Sequence, residues 1–223
     1  MPHNPAKAPL GMFGGTFDPI HNGHLRTAFE FAERLDLERV LFIPAADPPH
    51  RPPPRVTARQ RLEFVRAAID DEPRFALDDR ELRRGGRSYT VLTLGELRAE
   101  HGDRPLVLCL GMDAFLGLPG WHRWEELATL AHIAVAHRPG FQPPVEGPLA
   151  KLVAERRSED PADLAASPAG RLFFFAGTQL ELSATELRDV LESGRDPRYL
   201  MPEAVRRMII ATGAYARPGD QEG

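Results

Sequence analysis

The sequence predicts an α/β protein with a doubly wound parallel sheet and helices on both faces. Short apolar runs alternate with helical patterns along the chain, and those runs are apolar throughout, as buried parallel strands are. The length of 223 residues, with 42% hydrophobic and 27% charged, suits one domain with a sizeable core. That domain is expected to span 1–223, with a small helical portion from about residue 183 onward.

Residues 10–17 read as a buried strand running into a Gly-Gly turn. A helix follows over 22–35, with Leu25, Ala28, Phe29, Ala32 and Leu35 at helical spacing. Val40–Ile43 is a second strand, ending in Pro44 and a proline-rich loop. Thr57 opens the next helix, and Gln60 completes a capping box. Phe75–Leu77 is a short strand, and Ser88 begins a helix to about Glu100, stopped by Gly102. Residues 105–110 are the most apolar strand, 124–131 a short helix, and Ile133–Ala136 another strand. The stretch 142–170, rich in proline, alanine and charge, reads as a mobile connection with a helix at 149–157. Leu172–Phe175 is the last strand. Ser183 and Glu186 form a second capping box on a helix stopped by Gly194, and Pro202 starts a terminal helix.

Composition removes several function classes. A net charge of −4 gives no electrostatic argument for general nucleic-acid binding, and no nucleic-acid partner is expected. The single cysteine, Cys109, lies in an apolar run and reads as a buried small hydrophobe, with no disulfide or Cys-based zinc site to form. No apolar run approaches the ~20 residues of a membrane helix. The first residues lack the apolar core of a signal peptide, so the expected compartment is the cytoplasm. Nothing in the sequence fixes the oligomeric state; a homo-oligomer is compatible with it.

The chemistry concentrates in Gly14-Gly15-Thr16-Phe17-Asp18-Pro19-Ile20-His21-Asn22-Gly23-His24. Paired glycines let backbone approach a ligand without a Cβ in the way. A helix begins at Asn22 or Gly23, so its N–H groups and positive dipole end face the loop. His21 and His24 flank that start and both reach the same place. Together these make a site for a polyphosphate. A lone Gly-Gly is usually a plain turn and a lone histidine a surface or satisfied core residue; eleven positions in a strand-to-helix context favour the site.

This segment resembles the His-x-Gly-His nucleotidyltransferase superfamily, whose fold is Rossmann-like. Further segments resemble bacterial nicotinate-nucleotide adenylyltransferase. They are Pro48-Pro49-His50-Arg51, Asp79-Arg80-Glu81-Leu82, Ser88-Tyr89-Thr90, Gly111-Met112-Asp113, Trp121-His122-Arg123-Trp124-Glu125, Arg138-Pro139-Gly140-Phe141, Leu182-Ser183-Ala184-Thr185-Glu186-Leu187-Arg188 and Tyr199-Leu200-Met201-Pro202. They stand in the family's order from about Leu10 to Ile210.

The resemblance implies adenylyl transfer from ATP to nicotinate mononucleotide, giving deamido-NAD and pyrophosphate. It implies His21, His24 and Arg188 as catalytic groups. ATP would be held by Gly14, Gly15, Thr16, Phe17, Gly23, His24, Gly111, Asp113, Ser183, Thr185 and Arg188. The mononucleotide would meet Asp18, Arg51, Thr90, Trp121, His122 and Arg138. Each has a physical role beside a blander one. Ser183 and Thr185 begin a helix, where hydroxyls and N–H groups hold phosphates, although Ser183 is also a plain N-cap. Arg188 suits phosphate; Asp113 suits ribose hydroxyls or caps a loop. Trp121 offers a flat face worth roughly 0.5–1.5 kcal/mol in stacking, or is core. Mg²⁺ is expected with ATP, ligated by phosphates and water rather than by a protein metal site. Two departures from the family pattern are Leu92, where an aspartate is common, and Ala184, in place of a second serine. The alternatives are another acceptor of the superfamily, such as phosphopantetheine, nicotinamide mononucleotide as acceptor, or a non-catalytic nucleotide sensor.

Overall fold

The computed structural model describes residues 8–49, 52–178 and 180–216. The chain runs β1 (Leu10–Gly15), α1 (Asn22–Arg34), β2 (Arg39–Pro44), α2 (Ala58–Ile69), β3 (Phe75–Leu77), α3 (Arg80–Arg84) and α4 (Thr90–His101). It continues β4 (Leu106–Gly111), α5 (Met112–Leu116), α6 (Leu127–Leu130), β5 (His132–His137), α7 (Pro148–Arg156), β6 (Arg157–Ser158), β7 (Leu172–Ala176), α8 (Ala184–Glu192) and α9 (Glu203–Thr212).

The seven strands form one parallel sheet in the order β3-β2-β1-β4-β5-β7-β6. Leu10 faces Leu106, Leu108 faces Ile133 and Ile133 faces Leu172 in successive ladders. From β1 the chain first builds outward through β2 and β3, then returns to place β4 on the other flank of β1. The winding therefore reverses between β1 and β4, where ligands of such sheets bind beyond the strands' carboxyl ends. The expected doubly wound fold is the observed one.

Burial explains why these runs became strands. Leu106 to Leu110 are all buried, so the whole run faces helices on both sides, with no polar face left for water. Cys109 lies within it, 1% exposed, its thiol pushed up by burial and therefore inert. Gly11 in β1 lies close to its neighbours: a Cβ there would lie 2.7 Å from Leu37 Cδ1, so that side chain would have to shift.

Two compact units divide the chain. The first comprises Met1–Gly14, Thr27–Leu41 and Tyr89–Gln179; the second comprises Gly15–Arg26, Phe42–Ser88 and Leu180–Gly223. In the first, Phe31 and Phe115 are fully buried, and Phe31 meets Phe175 edge-on at 5.0 Å. In the second, Phe42, Phe64, Val65 and Val205 form the apolar centre, and Phe42 packs on Phe75 at 4.9 Å. Each such side chain contributes about 1.5–3 kcal/mol by leaving water. The helical portion expected from about residue 183 is α8 and α9, and it falls in the second unit.

Both capping boxes form. Thr57 Oγ1 accepts from Gln60 N at 3.2 Å while Gln60 Oε1 accepts from Thr57 N at 3.0 Å. Ser183 and Glu186 repeat the arrangement on α8. Ser88, in contrast, does not open α4. That helix starts at Thr90 after Tyr89, and the Ser88 hydroxyl accepts a bond from Asp47 N instead. The stretch 142–170 carries more order than expected, with α7, the edge strand β6 and a short 3-10 turn at Pro161–Leu164. The two-residue β6 and the five-residue α3 and α5 are too short for periodicity to reveal.

Candidate active site

At its carboxyl end β1 passes directly into the histidine motif, and the turn there is shaped by aromatic rings. Phe17 takes a left-handed conformation, with φ 50°. Its ring folds back over Gly15, where a Cβ would lie 3.0 Å from ring carbons. The same ring meets His24 edge-on at 5.2 Å and Phe42 at 5.9 Å. Phe17 is 2% exposed, so its side chain supports His24 from below and leaves only backbone for a ligand.

Gly23 has a related cause. A Cβ at Gly23 would lie 3.0 Å from the His21 ring, so the glycine in His-x-Gly-His makes room for the first histidine. The two rings stack with centroids 3.7 Å apart. Backbone N of His21 donates to His24 Nδ1 at 3.3 Å. Nδ1 of His24 is therefore the acceptor, and its proton sits on Nε2, which makes Nε2–H a directed donor. Nδ1 of His21 is buried and has no hydrogen-bond partner among the described residues.

Both rings are held neutral at pH 7. Burial lowers His21 to about 4. Burial and then the nearby His21 charge push His24 well below the usual imidazole value. Two charges about 4 Å apart would repel by ~4 kcal/mol at an effective dielectric of about 20, so the stack does not hold two protons. The start of α1 is fixed by Asn22, whose N donates to Leu200 O and whose Nδ2 donates to Tyr199 O, at 3.0 and 2.8 Å.

The second unit also carries Arg188, Thr185 and Ser183. Arg188 Nη1 donates to Asp18 O at 2.7 Å, and Nη2 donates to Thr185 Oγ1 at 3.0 Å. The Ser183 hydroxyl is engaged on both sides by its capping box, accepting from Glu186 N and donating to Glu186 Oε2. Asp18 is 6% exposed; its carboxylate accepts from Tyr215 Oη at 2.8 Å and from Arg55 N at 2.9 Å. Those bonds turn the carboxylate inward.

The first unit carries the other expected residues. Gly111 precedes α5 and Asp113 sits exposed in its first turn. Trp121 is half-buried, and the exposed His122 ring packs on Tyr89 at 4.4 Å. Thr90 is half-buried at the start of α4, and Arg138 is exposed after β5. Trp124 is half-buried. Arg51 lies outside the described residues.

Two residues at this site escape sequence reasoning. Arg61 is 1% exposed and donates to Thr16 O at 2.7 Å and Ala46 O at 3.4 Å, bracing the motif's backbone from within. Burial lowers its pKa, opposed by Asp18 and Tyr215. Its signal was available: Arg61 shares the apolar face of α2 with Phe64, Val65 and Ala68. Tyr215 gave none, since a tyrosine near a chain's end is ordinary.

A cytidylyltransferase-like family model matches residues 12–190. A probable nicotinate-nucleotide adenylyltransferase of Halorhodospira halophila is 51% identical over 209 residues, covering 94% of this chain and 96% of its own. One of Dechloromonas aromatica is also 51% identical, over 213 residues, covering 93% and 97%. Among solved structures, Plasmodium falciparum nicotinic acid mononucleotide adenylyltransferase complexed with NaAD shares the fold. Its TM-score is 0.71 at 15% identity, covering 93% of this chain and 97% of that one.

Proposed function

The chain belongs to the nicotinate-nucleotide adenylyltransferases of the cytidylyltransferase-like family, and from that premise we propose how its residues carry the reaction. The enzyme joins nicotinate mononucleotide and ATP to give deamido-NAD and pyrophosphate, a step of NAD biosynthesis.

The nucleophile is the mononucleotide's phosphate. Its second pKa is about 6, so it is largely dianionic at neutral pH and needs no general base. Its oxygen forms a bond to the α-phosphorus of ATP while the bond to the bridging oxygen breaks and pyrophosphate leaves. The barrier is the meeting of two anions and the charge on the leaving group, so catalysis rests on positioning and electrostatics.

The observation that carries this reading is the stacked His21–His24 pair, with a directed Nε2–H on His24. In this role the histidines are hydrogen-bond donors to the triphosphate and the transferring phosphoryl group, not bases. The amides at the start of α1 and the Gly14–Thr16 backbone act on the same phosphates. Phe17 serves by shaping the turn. Arg188 and Thr185 hold the leaving group, with the start of α8 and Ser183 as its cap. Gly111 and Asp113 take the ATP ribose. Trp121 stacks on the pyridine ring, with Thr90 and backbone near His122 addressing its carboxylate. Arg51 and Arg138 are assigned to the mononucleotide phosphate, and Asp18 to ordering the motif around it.

Among the described residues no group of three His, Cys, Asp or Glu side chains is arranged for a metal ion. Mg²⁺ is assigned to the ATP phosphates with water, where it would neutralise phosphate charge. No helix among the described residues is long and apolar enough to cross a membrane; the cytoplasm is the assigned compartment.

The test is pyrophosphate release with ATP against a panel of acceptors. Nicotinate mononucleotide should be turned over fastest. Preferential use of nicotinamide mononucleotide would overturn the assignment of Thr90 and the backbone near His122 to the carboxylate, and binding without release would make the chain a sensor.

A further inference from the structure

Arg188 does not point by itself. Its Nη1 is held by the backbone oxygen of Asp18, 2.7 Å away, and lies 3.8 Å from Asp18 Oδ2. The direction of the guanidinium therefore depends on where Asp18 stands. Asp18 is 170 residues away from Arg188 in the chain, so local structure does not fix their relation.

Two groups fix Asp18. Arg55 N donates to Oδ2 at 2.9 Å, and the Tyr215 hydroxyl donates to Oδ1 at 2.8 Å. The phenol is 7% exposed and sits over a carboxylate that is 6% exposed, so water does not compete with the bond. The chain is shaped to bring it there. Gly213 ends α9 in the left-handed conformation, Ala214 N returns to Ile209 O at 3.2 Å, and Tyr215 is itself left-handed at φ 73°. A tyrosine accepts that backbone only where its surroundings hold it. Burial and Asp18 both keep the phenol protonated, so it stays a donor.

We propose that Tyr215 is a positioning residue for adenylyl transfer: through its bond to Asp18 it fixes the direction in which Arg188 presents its guanidinium to the nucleotide phosphates. The proposal rests on Arg188 being a phosphate-holding group. Tyr215 touches no substrate in this scheme.

The test is a double-mutant cycle in steady-state kinetics, with ATP and nicotinate mononucleotide varied separately. Tyr215→Phe keeps the ring and removes the bond. It should fold, and lower kcat/KM for ATP about tenfold, within what a misplaced group costs, with a smaller change in KM for the mononucleotide. Made in the Arg188→Ala background, it should cost nothing further. A purely structural tether would instead give wild-type kinetics in the folded fraction, or losses that multiply with those of Arg188→Ala. Either result overturns the proposal, as does an equal change in the KM of both substrates. If Arg188→Ala alone retains wild-type turnover, the phosphate-holding role of Arg188 has failed, and that single variant shows it separately. Should Tyr215→Phe be too unstable to assay, Tyr215→Met, which fills the apolar space without a donor, takes its place in the cycle: coupling to Arg188→Ala supports the proposal and additivity overturns it.

Discussion

The two units bury polar groups in opposite ways. In the first, Arg98 makes five hydrogen bonds, from Nε, Nη1 and Nη2 to the carbonyls of Leu130, Gly102, Arg104 and Pro168, so each of its donors has an acceptor. His132, fully buried, accepts from Arg171 N at Nδ1 and turns Nε2 to Ser167 O. In the second unit, His21 Nδ1 and Arg61 Nε are buried with no hydrogen-bond partner among the described residues. Both units lower a histidine's pKa by burial. A shifted pKa therefore does not separate the site from the scaffold. The two histidines differ in their ring nitrogens: both of His132 are engaged, whereas Nδ1 of His21 is not, and folding alone selects against a buried group left so.

The largest expected effect sets a histidine of the motif against one of the scaffold. His24→Ala should lower kcat by ~10² or more, the scale for losing one transition-state donor, with the fold retained by circular dichroism. His132→Ala should lose about 1–3 kcal/mol of stability by stranding its partners, with kcat of the folded protein unchanged. If the two variants lose activity equally, the comparison breaks.

A smaller effect sharpens it through pH. In the unfolded chain a histidine titrates near ~6.5, whereas folded His21 titrates at about 4. Above ~6.5 neither state gains a proton from this group. As pH falls below that, the unfolded chain binds it first, so stability present at pH 7 is lost toward pH 4. Urea unfolding should show a loss of about 2 kcal/mol from His21 between pH 7 and 5. His21→Gln should flatten that part of the curve; an unchanged slope would mean that the ring is not buried neutral.

The smallest effect compares two like devices. Thr57→Ala and Ser183→Ala each remove a capping box and should each cost about 1 kcal/mol of stability. Only Ser183→Ala should also raise KM for ATP. Equal kinetics in both would reduce Ser183 to a cap.

Much of this was legible in the residues. The strands from Leu10, Val40, Leu106, Ile133 and Leu172 and both capping boxes follow from apolar runs and local hydrogen-bond rules. The histidine motif was legible because its chemistry is local: His21, Gly23 and His24 fall within one turn. What was not legible depends on distant partners. Ser88 reads as a helix start until Asp47 N claims its hydroxyl, 41 residues away. The bonds that Tyr215 and Arg55 make to the Asp18 carboxylate are equally out of reach of local rules. Periodicity has no access to bonds of that separation.

The bond between Asp18 and Tyr215 spans 197 residues. At a ribosomal rate of ~5–20 residues per second, the aspartate is added to the chain roughly 10–40 s before its phenol. For that interval the β1 strand and its histidines are already made, while the group that sets the nearby guanidinium is not. Synthesis order thus makes the competence of this enzyme to act on nucleotide one of the last properties a nascent chain acquires.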